Sequence, residues 1–137
     1  MLFRDTLELA TKGRGTYDIT DQVASLVQRA DAGEAMCNLF IAHTSASLII
    51  CENADPDVRV DLETFMSELV PDGDRRYRHT AEGPDDMSAH VRSILTCSSL
   101  SIPITRGRLA LGTWQGIYLY EHRTAPHRRR VLVSVLA

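Results

Sequence analysis

LSIPITRGRLALGTWQGIYLYEHRTAPHRRRVLVSVL, residues 100–136, decides the class of fold. It holds four short runs of strand-forming residues: LSIPIT (100–105), RLALGT (108–113), GIYLYEH (116–122) and RRVLVSVL (129–136). RG at 106–107 and WQG at 114–116 mark connections between them. Pro103 has no backbone N–H to give, so its strand belongs at an edge or a bulge. In GIYLYEH the two-residue period puts Ile117, Leu119 and Glu121 on one face and Tyr118, Tyr120 and His122 on the other. A carboxylate among apolar side chains needs a partner, an arginine or a metal, unless the strand ends and exposes it.

Working outward from this block, LFRDTLELA (2–10) alternates as a strand and GRG (13–15) turns the chain. TDQVASLVQRA (20–30) carries Val23, Leu26, Val27 and Ala30 on one helical face, with Thr20 as the expected N-cap and Gly33 just past the end. AMCNLFIAH (35–43) and SASLIICE (45–52) are apolar strand runs. In NADPDVRVDLETFMSELVPDG (53–73), Asp55 can cap a helix and Pro56 suits its first position, where no donor is lost. Val58, Leu62, Phe65, Met66 and Leu69 form its apolar stripe, with Arg59, Asp61, Glu63 and Glu68 opposite. A polar loop follows over 71–84, then a third helix, DDMSAHVRSILT (85–96), with Met87, Val91, Ile94 and Leu95 as its apolar face. The order β, α, β, β, α, α and then strands is α+β, one domain over residues 1–137.

Apolar residues make up 44% and charged residues 24%, which suits a packed core and argues against disorder. No apolar run is long enough to span a membrane, and the opening MLFRDTLELA lacks a secretory pattern, so a cytoplasmic location is expected. Cys37, Cys51 and Cys97 form no CxxC and read as packed thiols in a reducing compartment. Residues 52–86 hold eleven of the eighteen acids, while seven arginines and only Glu121 follow Asp86. Arginine forks match phosphate or carboxylate oxygens, so this split suits an anionic ligand or an ion-paired subunit contact, although a genomic bias towards arginine also gives it. Nucleic acid is not expected: the net charge is −3 and His127–Arg130 stands without a helix-turn-helix or RNP pattern.

Five histidines are available. His43 ends an apolar run and precedes Thr44 and Ser45, His79 sits in the polar loop, His90 lies on the third helix, and His122 and His127 follow later. Three imidazoles converging on one ion, with a fourth position open, make a catalytic zinc arrangement. Spacing alone does not single it out, since HxH and HExxH are absent. Asp57 and Asp61 lie four apart on one helix face, where acids near a helix start complement its dipole; a metal or basic partner would also offset their repulsion. Trp114 and Gln115 can stack on and hydrogen-bond a planar ring, or belong to the core beside a turn.

AHTSASLIICENADPDVRVDLE, YRHTAEGPDDMSAH and SIPITRGRLALGTWQGIYLYEHR followed by RRR resemble, together and along nearly the whole chain, the signature blocks of the YjbQ family of secondary thiamine-phosphate synthases. The resemblance implies two small sheets packed as a sandwich with flanking helices, and assembly as a homotrimer. It implies a divalent metal, zinc expected, held by His43, His79 and His90, with a small anionic or phosphorylated metabolite beside it. Glu121 and Asp57 are then the candidate catalytic carboxylates, and Thr44, Ser45, Trp114, Gln115 and Arg130 candidate substrate contacts. The activity implied joins a pyrimidine pyrophosphate to a thiazole phosphate. The chain is too short for a (β/α)₈ barrel and has no Gly-rich phosphate loop, so that synthesis can be a side activity and hydrolase or lyase chemistry suits the metal equally. The alternative is a non-enzymic trimeric module that binds a small anion or metal.

Overall fold

A computed structural model describes residues 1–137. The chain runs β1 (Leu2–Ala10), β2 (Gly15–Asp18), α1 (Thr20–Ala30), β3 (Ala35–Ile41), β4 (Ala46–Glu52), α2 (Pro56–Leu69), α3 (Asp86–Leu95), β5 (Ser99–Thr105), β6 (Arg108–Leu109), β7 (Gln115–Glu121) and β8 (Arg128–Leu136). A five-stranded sheet has the order β1-β8-β3-β5-β6 and a three-stranded sheet the order β2-β7-β4. Every pairing is antiparallel.

The inner faces of both sheets meet in one core. Cys37, Leu39 and Ile41 of β3 and Val131, Val133 and Val135 of β8 join Leu48 of β4 and Ile117 and Leu119 of β7, with Val23, Leu26 and Val27 of α1 completing it. Burial pushes the Cys37 thiol up to about 11, so this cysteine is an inert packing group. The ladder β1–β8 aligns Leu2 with Leu136, and the N-terminal amine of Met1 reaches the Ala137 carbonyl at 2.9 Å.

Several local expectations change in detail. GTYD forms β2, which the turn reading of GRG passes over, because it pairs with Tyr118–Glu121 of β7. RLALGT yields only the two residues of β6. Thr20 is the first helical residue and does not cap α1: its hydroxyl accepts from the Ile117 amide at 2.9 Å, while Asp18 accepts from the Thr20 amide. Asp31, in the left-handed region, ends that helix ahead of Gly33. Asp55 does cap α2, its carboxylate accepting from the Asp57 amide at 2.9 Å. Pro103 lies in β5, which β6 covers only at Ile104 and Thr105.

The larger change is the direction in which two helices face. On α2, Leu62, Phe65 and Leu69 are exposed, Phe65 by 62%, and only Met66 is buried. On α3, Ile94 is 81% exposed, while Asp86, Ser88, Ala89 and Arg92 are buried. Both helices turn polar residues towards the protein. The three-stranded sheet meets them with Tyr118, Tyr120, His122 and Ser47, the face of β7 and β4 opposite the core. The result is a polar layer. Tyr120 donates to Glu63 of α2, which also accepts from Arg92 of α3 at 2.8 Å. Ser47 and Nε2 of His122 are 2.8 Å apart. Arg14 donates to the His122 carbonyl at 2.7 Å and grips Asp72 at 2.8 and 2.9 Å. Arg59 lies over the Tyr118 ring, 4.9 Å from its centroid.

Candidate metal centre

The loop from Pro71 to Asp85 leaves α2 and returns as α3. Its neck is closed by the Gly73 amide on the Pro84 carbonyl at 2.9 Å. Gly73, with φ of +66°, makes that turn without a side-chain clash. This closure sets His79 beside the first turn of α3, where Asp86 and His90 share a face by their four-residue spacing. Nε2 of His79 lies 2.7 Å and Nε2 of His90 3.1 Å from the same Asp86 oxygen, Oδ2. One ligand atom from each of the three lies within 4.8 Å of the others.

The other ring nitrogen of His90 decides its tautomer. Nδ1 is 3.0 Å from the Thr44 carbonyl, which can only accept, so Nδ1 carries the proton. In a neutral ring Nε2 then presents a lone pair to a carboxylate. That contact is favourable only with a cation at it: a second proton or a metal ion. An imidazole held through Nδ1–H to a carbonyl, with Nε2 free, is the usual condition of a metal-ligating histidine. The residues therefore fit a divalent ion. Burial works against charge on Asp86, but the hydrogen bond from His79 and the neighbouring His90 and Arg123 outweigh it and hold its carboxyl below the ordinary value.

His43 stands apart from these three atoms. Its Nε2 accepts from the Arg130 amide at 2.8 Å, and Nδ1 lies 3.4 Å from Arg129 Nη1. Burial, then Arg129 and Arg130, push its pKa down, which favours the neutral ring. His43 and His90 nevertheless line one cleft of about 500 Å³ with Thr44, Ser93, Thr96 and Ser98, and the Ser93 hydroxyl is buried there without a protein partner. His79 faces a separate cleft of about 420 Å³ with Arg75 and Tyr77.

The remaining predicted residues lie as follows. Glu121 is fully buried, bound by Arg129 Nε at 2.8 Å and Nη2 at 2.5 Å and by the Thr11 hydroxyl at 2.7 Å. Its partner is thus an arginine, and both oxygens are engaged. Ser45 accepts from the same arginine at 2.9 Å. Asp57 is exposed at the start of α2, outside the cluster. Trp114 is 63% exposed, so it is no core residue; Gln115 closes its own turn on the Gly112 amide at 2.8 Å. Of the arginines, Arg129 and Arg130 touch His43, Arg128 pairs with Glu8, and Arg106 and Arg108 line a different cleft, against α1. Sequence reasoning missed Asp86, although its i,i+4 relation to His90 was legible; Arg123, which binds Asp86, had no local signal.

The family model for UPF0047, YjbQ-like proteins matches residues 5–137. The chain belongs to the YjbQ-like UPF0047 family. A UPF0047 protein of Synechocystis is 52% identical over 132 residues, covering 96% of this chain and 90% of that protein. UPF0047 protein YjbQ of Escherichia coli O157:H7 is 40% identical, covering 98% of each. Among solved structures, a YbjQ-like protein of unknown function from Sulfolobus solfataricus superposes with a TM-score of 0.91 at 25% identity, over 100% of this chain and 98% of that one. The UPF0047 fold is thus the two-sheet arrangement described above. No helix of this family member is long and apolar enough to cross a membrane.

Proposed function

We propose that this protein is a metal-dependent enzyme acting on a small anionic or phosphorylated metabolite, with His79, Asp86 and His90 holding one divalent ion, zinc by preference. One observation carries the reading: the proton on His90 Nδ1 is committed to the Thr44 carbonyl, which leaves Nε2 aimed at a carboxylate and in need of a cation. Two imidazoles and one carboxylate oxygen suit zinc and leave room for a further ligand. Such an ion supplies a Lewis acid for a phosphoryl or carbonyl oxygen.

This chain's own groups supply the rest. The cleft beside His90 is lined by the polar residues Thr44, Ser93, Thr96 and Ser98, which suits a polar ligand. His43, kept neutral and with Nε2 engaged by the Arg130 amide, is suited to present Nδ1–H to a ligand in that cleft as a hydrogen-bond donor. Thiamine-phosphate synthesis, implied by the resemblance, is the first activity to assay, with hydrolysis of small phosphate esters beside it. The exposed apolar faces of α2 and α3 support assembly into a homotrimer, and Ile94 lies both on that face and in the His43 cleft, which would put the cleft near a subunit boundary.

The test is zinc titration by calorimetry. The wild type should bind one equivalent per chain, and His90→Ala and Asp86→Ala should lose most of the affinity. A wild type that takes up no zinc, or variants that bind it as tightly, would refute the proposal.

A further inference from the structure

Asp86 divides its two oxygens between different partners. Oδ2 faces both imidazoles. Oδ1 is held by Arg123 Nη1 at 2.9 Å. The same guanidinium donates through Nε to Asp85 at 3.0 Å and through Nη2 to the Glu82 carbonyl at 3.0 Å. Asp85 is fixed further by the Thr124 amide at 2.9 Å. A planar fork anchored by two hydrogen bonds, with Nη1 in ion-pair contact with Oδ1 and its side chain only 18% exposed, leaves the Asp86 carboxylate little freedom to rotate.

We infer that Arg123 is a positioning residue that restricts Asp86 to offering one oxygen, and so sets which metal the site prefers. The inference rests on reading His79, Asp86 and His90 as a metal centre. With Oδ1 occupied, Asp86 cannot chelate through both oxygens. Zinc loses little by this, since two imidazoles and one carboxylate oxygen are a sufficient protein set for a four-coordinate zinc with one open position. Manganese, which favours oxygen-rich sets and higher coordination, loses an oxygen ligand. Arg123 also draws charge from the carboxylate, which handicaps most an ion that depends on oxygen donors.

The experiment compares zinc and manganese dissociation constants, by competition with a chromogenic chelator, for the full chain, Arg123→Gln and Arg123→Lys. In Arg123→Gln the preference for zinc over manganese should fall by about tenfold, the lower end of what partners behind metal ligands are worth. Lysine brings a single ammonium and cannot hold Asp85 and Asp86 together, so Arg123→Lys should shift the ratio in the same direction and serves if the glutamine variant does not fold. Equal weakening of both metals would mean that Arg123 only supports the structure, and an unchanged ratio would mean that Asp86 does not depend on it; either result overturns the inference. A wild type that binds neither metal overturns the metal reading itself, which is seen before any variant is made.

Discussion

Glu121, the last residue of β7, and His122, which follows it, are both fully buried and point to opposite sides, and each ties stability to pH. The Glu121 carboxyl is opposed by burial, but Arg129 and Thr11 outweigh this and hold it below its ordinary 4.5. Glu121→Ala removes one partner of a buried pair and leaves Arg129 unmatched, so unfolding should become easier by about 3–5 kcal/mol, read from urea midpoints. His122 is pushed down to about 3, by burial first and then by Arg92 and Arg14. An unfolded histidine takes up its proton near 6.5 while the folded one does not. The stability from this residue is therefore complete above 6.5 and is lost as pH falls towards 3. Between those limits the wild type should lose up to about 1.4 kcal/mol per pH unit more than His122→Gln. Equal slopes for the two proteins would show that His122 is not held neutral. The need of Glu121 for a partner was legible from alternation along one strand. Which arginine answers it was not, because Arg129 arrives on a strand of the other sheet.

The helices were legible as elements but not in their orientation. Periodicity finds α2 and α3 within a residue or two, because caps and breakers are local: Asp55, Pro56, then Pro71. It also finds their apolar stripes. It cannot say what covers a stripe, and in this fold the sheet beneath offers Tyr120, which draws in Glu63 and through it Arg92, beside the Ser47–His122 pair. The apolar faces remain outside, and the proposed trimer is what would bury them. Phe65→Ser and Ile94→Asp should then shift light scattering from the assembled mass towards the single chain while the chain keeps its far-ultraviolet dichroism. Unaltered mass in both variants would place the contact elsewhere. β2 was missed for a related reason. Four residues carry too little period, and only the waiting edge of β7 makes them a strand.

On the scale of the whole molecule, the candidate centre joins parts that are remote in sequence: the loop after α2, the start of α3 and, through Thr44, the segment between β3 and β4. The resemblance points to His43, His79 and His90; the fold brings the last two together, while His43 spends its Nε2 on the Arg130 amide. No spacing rule could have exposed that backbone contact. A bound ion would tie these parts together, so zinc at a hundredfold excess over its dissociation constant should stabilise the protein by about 2.7 kcal/mol. The rise in melting temperature should vanish in His79→Ala; a rise that persists there would locate the metal elsewhere.

The polar layer beneath α2 and α3 also bears on how the molecule comes apart. Opening it would wet Glu63, Arg92, Tyr120 and His122 while the valines and leucines between the sheets stay dry. Exposed polar surface lowers the heat capacity and apolar surface raises it, so opening this layer should raise the heat capacity less than parting the two sheets does. Amides of residues 56–95 should exchange with deuterium through partial openings that urea scarcely promotes. Those of β3 and β8 should wait for the whole chain to unfold. The site region would then sit on the half of the protein that opens first.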